Sequence, residues 1–485
     1  MNYLSFDIRA LSFMRILLAC VILLDLCIRI TDLEAFYSDT GAVPLSMLFQ
    51  YDWNPYFVSL HTISGLWQIQ LILFILSACC AFMMLIGYRT QLSTFLCWFL
   101  MLSLHNRNGL INQGGDDLLR MVLFWGIFIP WGARYSCDRL RDPFANISTT
   151  FISIATIAYL LQICYIYTGS ALLKGPEWNT EYTALYYAYS LDQITMPIVQ
   201  YIYYYPDLLK KLTFIAYHFE LLIPILFFIP IKHIWFRMTG IVCIILFHLI
   251  NETTLFIGLF PLIGMVTVIG LLPSVAMDQI EKYTERFKTL FASLFLKASN
   301  SIAVFIPWKK PVYELAPVLE KIQMACLIFL TVFVFDWNFS NLTFVKKKLS
   351  DNLRFIGYGL RLDQNWGMFG PGVLKYDGWY VHEGITADND TINLLDPHQK
   401  ELYNKPTSVV GMFRNDRWRK YSENMMFHTH TFMRGYYCNY VKTRWNKKHP
   451  EQPMKSLRII YMQEVTLPDY TILEPKQVML WECHE

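Results

Sequence analysis

The chain has 485 residues, of which 54% are hydrophobic and 16% are charged. Average soluble domains carry roughly 25% charged residues, so this composition excludes an ordinary soluble protein. The net charge is only +3 and no basic patch is interleaved with aromatic residues, so no nucleic-acid partner is expected. The composition predicts a polytopic α-helical membrane protein whose first partner is the lipid bilayer.

Nine apolar windows follow one another along residues 1–344, the predicted transmembrane domain. Each is long enough, or nearly so, to cross about 30 Å of hydrocarbon, although the third and fourth are short. The windows are 11–30, 66–88, 92–104, 118–131, 151–173, 212–230, 234–250, 255–272 and 315–335. A further apolar stretch at 182–205 is rich in tyrosine, which favours the membrane–water interface. We therefore expect about nine spans.

Basic residues of the short loops indicate which side of the membrane each loop occupies. In a nine-span arrangement Arg9, Arg89, Arg134, Lys232 and Lys282 fall on one side, which the positive-inside rule assigns to the cytoplasm. The first window is long and lacks a small-residue cleavage site, so we expect a signal anchor rather than a removed leader. The N-terminus is thus predicted to be cytoplasmic and the C-terminal domain extracytoplasmic.

Residues 345–485 are polar and lack a membrane-length window, which predicts a separate soluble domain of ordinary size. β-Branched and aromatic residues predict strands at 378–385 and 457–466, with a hairpin turn at 387–390. Aromatic residues at near-helical spacing predict one long helix over 417–445. The chain is therefore expected to end in an α+β domain with a small sheet.

Cysteines and histidines of this C-terminal domain give no metal-binding motif. His428 and His430 are two apart on the predicted helix, so their side chains diverge and a solvated pair is favoured over a metal site. No metal is predicted elsewhere, because no His-Glu-x-x-His or Cys-x-x-Cys spacing occurs. The sequence leaves open whether Cys438 and Cys483 form a disulfide.

Ionisable residues inside apolar windows are costly and mark either structural pairs or functional sites. Asp25 and Arg29 lie four residues apart in the first window, and hence on one helix face. We expect them to form an ion pair that stabilises the fold. A functional site at this pair is the alternative.

The segment 106–120, between the two short windows, concentrates polar side chains. Its candidate substrate-binding residues are Arg107, Asn108, Asp116, Asp117 and Arg120. Gly114 and Gly115 permit a non-helical backbone, which membranes tolerate where it is buried in protein or lines a wet cavity. One prediction is therefore a re-entrant or outer-rim element that lines a pocket. The alternative is that an aspartate caps the fourth span while Arg120 reaches the headgroups.

Lys174 closes the apolar run 151–173. An amine at the rim of a hydrocarbon layer loses solvation, which favours its neutral form and makes it a candidate base. The alternative is a lysine that extends to the headgroups. His248, near the end of the seventh window, is the second candidate catalytic residue, or else a hydrogen-bonded structural histidine. His218 and Glu252 complete the candidate substrate-binding set.

Several strings in the chain resemble a known family. They are LDLCIR at 24–29, FYSDTG at 36–41, the segment 107–120, YTGSALLKGPEW at 167–178, FHLINETTLFIGLFP at 247–261, QNWGMFGP at 364–371, YDGW at 376–379 and RWRKY at 417–421. The chain resembles the horizontally transferred transmembrane domain family, the bacterial relatives of the vitamin K-dependent gamma-carboxylase. This resemblance implies a protein of the bacterial plasma membrane.

For the site, the resemblance implies that Lys174 is the base that deprotonates a vitamin K-like hydroquinone, with His248 near the quinol or glutamate pocket. Dioxygen and carbon dioxide would be co-substrates, and a glutamate of a secreted peptide would be carboxylated. One departure is Gln113-Gly114-Gly115-Asp116, where the carboxylase has an asparagine–histidine pair. Another is the shorter tail, which lacks an obvious counterpart of the propeptide-binding regions.

Two functional hypotheses follow from the sequence. In the first, the chain is a membrane enzyme of the carboxylase type, a carbon–carbon lyase with coupled quinol epoxidation, that acts on a secreted peptide or a lipid-soluble substrate. In the second, it is a non-catalytic maturation or export factor whose outer domain binds a secreted protein. Replacement of Lys174 separates them, because the first hypothesis requires its amine.

Overall fold

A computed structural model of the chain describes residues 3–143, 148–312, 314–395 and 401–484, with the backbone alone at 286–288. The structure is mostly helical. Its α-helices are α1 (Ile8–Ile30), α2 (Leu33–Tyr37), α3 (Leu45–Met47), α4 (Trp67–Ile86), α5 (Thr90–Arg107), α6 (Gly114–Gly126), α7 (Cys137–Arg141), α8 (Ile154–Leu173), α9 (Pro176–Asn179), α10 (Ala184–Ser190), α11 (Gln200–Tyr203), α12 (Pro206–Leu222), α13 (His233–Thr254), α14 (Phe260–Ile269), α15 (Ser274–Ala303), α16 (Pro317–Ser340), α17 (Asp351–Leu360), α18 (Asp416–Met426) and α19 (Phe432–Lys448). Single turns of 3-10 or π helix fall at Leu48–Asp52, Leu60–Thr62, Gly109–Ile111, Pro197–Val199, Ile223–Phe228, Val410–Met412 and His428–His430.

Helices of membrane length confirm the membrane class. Within the described ranges, six helices are long and apolar enough to cross a bilayer, or seven if a bent pair is one span. The six are α1, α4, α8, α12 extended to Phe228, α13 and α16, and the bent pair is α14 with the start of α15. The third and fourth predicted windows correspond to α5 and to α6, which is only 13 residues long. The count of nine spans therefore stays a prediction.

The strands form two antiparallel sheets. β1 (Phe6–Asp7) pairs with β2 (Thr150–Phe151), and the larger sheet has the order β4–β3–β5–β6. The strands of the larger sheet are β3 (Tyr376–Thr386), β4 (Thr391–Asn393), β5 (Met454–Val465) and β6 (Lys476–Cys483). β3 and β5 coincide with the two predicted strands, and the β3–β4 hairpin turns where the sequence predicts a turn.

The long helix predicted over 417–445 is instead two helices, α18 and α19. α18 ends at Met426 because Phe427 is extended, with φ −73° and ψ 138°. Helix ends leave carbonyl groups without partners, and here the Arg434 guanidinium donates to the Met425 carbonyl at 2.9 Å. A disulfide joins Cys438 of α19 to Cys483 of β6, so the second helix is held on the sheet.

The start of the predicted soluble domain packs into the membrane helices. Trp366 is buried, and Gln162 of α8 donates to the Gln364 side chain at 2.7 Å. Further along, the Gly175 amide donates to the Pro371 carbonyl at 2.6 Å. Polarity along the sequence places a boundary near residue 345, whereas in space residues 361–371 still lie against the membrane helices.

Four buried charges connect the membrane helices to the C-terminal domain. Arg29 donates to Asp25 at 2.7 Å, which confirms the predicted pair on α1. Arg29 also donates to Asp116 of α6 at 2.7 Å. Arg417 of α18 donates to Asp25 and to Asp116, each at 2.8 Å. Two carboxylates therefore face two guanidinium groups, and we call this set the four-charge network.

The four-charge network predicts that Arg417→Ala destabilises the protein strongly. Asp25 and Asp116 would stay buried with a single arginine between them, and breaking a buried pair typically costs about 3–5 kcal/mol. Thermal unfolding of the purified full chain in detergent measures the loss.

The matched control is Arg414→Ala, three residues earlier. Arg414 pairs with Asp32, but its side chain is 56% exposed, so the expected loss is below about 1 kcal/mol. Equal losses for the two variants would show that the network does not hold the domain in place.

Candidate functional site

A cavity of about 400 Å³ lies where the membrane helices meet the C-terminal domain. Its walls are mainly apolar, with aromatic rings from Trp178, Phe247, Phe260 and Phe369. The polar residues of its lining are Gln113, Lys174, Gln193, Glu220, Asn251, Arg419, Lys420 and Glu423. Ligand sites of small molecules have this composition, with apolar walls and a few polar groups that fix orientation.

Lys174 lies in this wall because the helix before it ends there. Lys174 is the C-cap residue of α8, and Gly175 and Pro176 follow, so the chain leaves the helical conformation before the proline. The lysine side chain is only 2% exposed. It therefore does not extend to the headgroups, as the alternative prediction had it.

The Lys174 ammonium forms a buried ion pair with the Glu220 carboxylate of α12. Its Nζ atom also lies 4.0 Å from the centre of the Trp178 ring, in a cation–π contact. Burial lowers the pKa of Lys174, while the neighbouring carboxylate acts in the opposite direction. Lys174 is thus desolvated as predicted, but with an acidic partner that the sequence analysis did not assign.

His248 lies behind the cavity wall. It is 1% exposed, and its Nε2 atom is 2.9 Å from the Tyr167 hydroxyl in a hydrogen bond. Phe247 and Phe260, which do line the cavity, pack against its ring with centroids 5.5 and 5.4 Å away. The predicted pair is therefore brought to one region, with Lys174 in the cavity lining and His248 in the layer behind it.

Within the 106–120 segment, Gln113 and Gly114 line the cavity, whereas most of the charged residues and Asn108 bond to other parts of the protein. Arg107 donates to the Val43 carbonyl at 2.8 Å, and Asn108 donates to the Phe36 carbonyl at 3.1 Å. Asp116 belongs to the four-charge network and also accepts from the Gln113 amide at 2.8 Å. That bond closes a capping box at the start of α6, which confirms the capping alternative for Asp116.

Asp117 and Arg120 form a second connection to the C-terminal part of the chain. They pair at 2.9 Å, and Arg120 donates to the Arg361 carbonyl at 2.7 Å. Arg120 is fully buried and does not reach the headgroups, because it satisfies carbonyl groups at the end of α17.

The remaining candidates of the sequence analysis also lie outside the cavity lining. His218 is half-buried with its Nδ1 atom 2.8 Å from the Phe214 carbonyl of its own helix, and Glu252 is exposed. Gly114 and Gly115 are helical rather than irregular. Their small size allows close packing, since a Cβ atom on Gly115 would lie 3.0 Å from the Phe260 Cα atom.

Asp25, His105 and Asp116 are the described residues whose donor atoms are close enough to share a metal ion, within 4.8 Å of one another. Both carboxylates already bind Arg29 and Arg417. A cation would have to displace a guanidinium group from a buried, charge-balanced set. We therefore interpret this group as part of the salt-bridge network.

The C-terminal domain supplies the charged end of the cavity. Arg419 of α18 donates to Asp416 and to Glu423, each at 2.7 Å, and Lys420 donates to Glu423 at 3.2 Å. These residues were not predicted from the sequence, because nothing local indicates that α18 packs against the start of α6. The one available signal was the place of Arg419 and Lys420 in the string 417–421.

Asp377 fixes another part of the cavity wall. Its carboxylate accepts from the Gln193 amide at 3.3 Å, and Gln193 with Ile194 lines the cavity. Burial raises the pKa of Asp377 to about 8, and the nearby Asp192 carboxylate adds to this increase. Asp377 of the C-terminal domain therefore positions the segment around Gln193 through a carboxyl group that resists ionisation.

Comparison with known proteins adds no relative. No protein-family model, no curated protein and no solved structure matches the chain. The chemistry of the cavity is accordingly inferred from its own residues. They provide a buried acid–base pair, an apolar chamber and a charged rim.

The pKa of Asp377 predicts a pH-dependent stability. Unfolded, this carboxyl ionises near its ordinary pKa of 3.8, whereas in the fold it stays protonated up to about pH 8. As the pH rises between those values, the carboxyl group ionises in the unfolded state but stays neutral in the folded state. The free energy of unfolding therefore falls by about 1.4 kcal/mol for each pH unit. Asp377→Asn removes this slope and raises the melting temperature near pH 7.

Melting curves of the full chain in detergent between pH 4 and pH 8, the window set by the two pKa values, test this prediction. Asp388→Asn, in the exposed β3–β4 turn, is the control and should leave the pH profile unchanged. A wild-type slope that persists in Asp377→Asn would contradict the assignment.

Proposed function

We propose that the chain is a membrane enzyme that deprotonates a lipid-soluble quinol in the cavity, using Lys174 and Glu220 together. The observation that carries the proposal is the buried Lys174–Glu220 ion pair in the wall of an apolar chamber. The burial of ionisable groups costs solvation free energy, and buried ionisable groups in a cavity are typical of functional sites.

The ion pair suggests how the proton moves. A phenolic hydroxyl that enters the cavity meets the Glu220 carboxylate, which accepts the proton, and the Lys174 ammonium, which stabilises the phenolate. Positioned acid–base groups of this kind contribute about 10²–10⁴-fold to a rate. Apolar walls exclude water, which strengthens the interaction between the ammonium and the oxyanion. Compared with a lone lysine base, the pair divides the two tasks between two side chains.

The walls fit a flat aromatic molecule with an apolar tail. Phe247, Phe260 and Phe369 offer ring faces and edges, and Trp178 is already in contact with the ammonium. The cavity volume of about 400 Å³ falls within the range of roughly 300–1,000 Å³ that is usual for small-molecule sites. At the charged rim Arg419 and Lys420 bind Glu423, so an acidic group of a second substrate would compete with that carboxylate for them.

The likeness to the vitamin K-dependent gamma-carboxylase supports a quinol as the substrate class. By that likeness the phenolate would react with dioxygen, and a secreted peptide would receive carbon dioxide at a glutamate. We propose these later steps on the resemblance, and the proton transfer on the geometry of the cavity.

Location and topology form part of the same proposal. Disulfides persist in oxidising compartments, so the Cys438–Cys483 bond supports an extracytoplasmic C-terminal domain at the bacterial plasma membrane. The basic loops support a cytoplasmic N-terminus. Nine spans result if α5, α6 and α14 cross the membrane together with the six longer helices, and an odd number places the termini on opposite sides.

The proposal predicts that Lys174→Met and Glu220→Gln each slow quinol deprotonation by about 10²–10⁴-fold. Full-length protein in nanodiscs would be supplied with a reduced naphthoquinol, and oxygen uptake with quinone-epoxide formation would be measured. Lys210→Met is the matched control, because Lys210 is an exposed lysine of the helix that carries Glu220.

A single substitution leaves the partner charge buried and weakens the fold. The double variant Lys174→Met/Glu220→Met keeps apolar volume without either charge, so a loss of activity with an unchanged melting temperature identifies a chemical role. Full activity in the double variant would overturn the roles of Lys174 and Glu220, whereas the absence of quinol oxidation by the unchanged protein would favour the non-catalytic maturation or export factor.

A further inference from the structure

Helix α15 is a 30-residue helix that lies against the outside of the helical bundle. The bend between α14 and the start of α15 is 101°, so a spanning α14 places α15 in the membrane plane. Most side chains of α15 are exposed, with Met277 and Ser299 buried among those that the structure describes. None of the α15 residues whose side chains the structure describes lines the cavity, so this helix is separate from the candidate site.

Contacts at both ends of α15 place it on one face of the membrane. Near its start, Asp278 and Glu281 accept from Arg9 at 2.7 and 2.9 Å, beside the first residue of α1. Near its end, Phe295 and Ala298 pack on the cluster that includes Ile86, the last residue of α4.

The start of α1 and the end of α4 lie on the same face. A Cβ atom on Gly87 would lie 1.9 Å from an Arg15 nitrogen, so the residue after α4 sits beside the first turns of α1. α15 therefore runs across the ends of two spanning helices, at the level where headgroups begin.

The surface of α15 divides into three sectors when residues are placed at about 100° intervals. One sector, with Glu281, Phe295 and Ser299, faces the protein. About 120° away in one direction is an exposed apolar stripe, which consists of Tyr283 (78% exposed), Leu290 (54%), Phe291 (52%) and Leu294 (49%).

The third sector lies about 110° from the protein-facing sector in the opposite direction. Its exposed residues are mostly polar, namely Lys282, Glu285, Thr289, Ser293, Lys297 and Asn300, and it also includes the apolar Val275 and Leu296. A helix beside a membrane protein at the headgroup level needs these three faces, one toward protein, one toward acyl chains and one toward water.

We infer that α15 is an interfacial helix whose apolar stripe binds the acyl region of an anionic bilayer surface. The exposed Lys297 lies at the edge of the polar sector beside the apolar stripe and Lys282 lies near its centre, and both ammonium groups can reach lipid phosphates. A second copy of the chain is the other occupant that such a stripe would suit.

Photocross-linking of the full chain in nanodiscs tests this inference. The photoreactive amino acid p-benzoyl-phenylalanine replaces Leu290 or Leu294 in the stripe, and Thr289 or Ser293 in the polar sector as neighbouring controls. With alkyne-tagged phospholipid, we expect roughly ten-fold more lipid adduct at the two stripe positions, because these side chains are surrounded by acyl chains.

A charge variant tests the lipid preference. Each basic residue near an anionic surface contributes about 1 kcal/mol, which is roughly a five-fold effect on association. Lys282→Glu/Lys297→Glu should therefore reduce adduct formation at position 294 with phosphatidylglycerol present, and leave it unchanged in phosphatidylcholine alone.

Three outcomes would overturn the inference. Equal lipid adduct in the two sectors would show that the stripe does not face the acyl chains. Adducts between two protein chains would assign the stripe to a dimer interface. A charge effect of the same size in both lipid mixtures would remove the anionic preference.

Discussion

Four buried charges join the membrane helices to the C-terminal domain, and they position the helix α18 that contributes to the candidate site. Asp25, Arg29 and Asp116 come from membrane helices, whereas Arg417 comes from the C-terminal domain. In a low-dielectric interior each charge is tolerated because the others compensate it. Arg417 thereby fixes α18, and the next turns of α18 carry the charged residues that close the cavity.

The two ends of the helical bundle carry different features. At the end where α1 meets the C-terminal domain, residues 361–371 and α18 lie on the helices beside the apolar cavity with its Lys174–Glu220 pair. At the other end, α15 crosses the start of α1 and the end of α4 and leaves an apolar stripe uncovered. Enclosure strengthens electrostatic interactions with a bound molecule, whereas an uncovered amphipathic helix suits a lipid surface.

The candidate site was predictable in part, and the residues show where sequence reasoning stops. Lys174 was a candidate because of its position at the end of an apolar run, but the sequence left extension to the headgroups as the alternative, and only the structure shows that it is buried. Its partner Glu220 lies 46 residues further along the chain, so only packing of α8 against α12 reveals the pair. Arg107, Asn108 and Arg120 were predicted to bind substrate because they are polar. They instead donate hydrogen bonds to backbone carbonyl groups of distant segments, which the sequence does not reveal.

The sequence by itself was enough to predict the membrane class, the Asp25–Arg29 pair and the strands β3 and β5. The membrane class depends on composition, and the pair and the strands depend on short helical or alternating periods. Tertiary structure decided the break between α18 and α19, the burial of residues 361–371 and the partners of Lys174 and Arg417. Those features arise from contacts between distant segments. A local sequence pattern predicts that a buried charge has a partner, but it does not predict which residue that partner is.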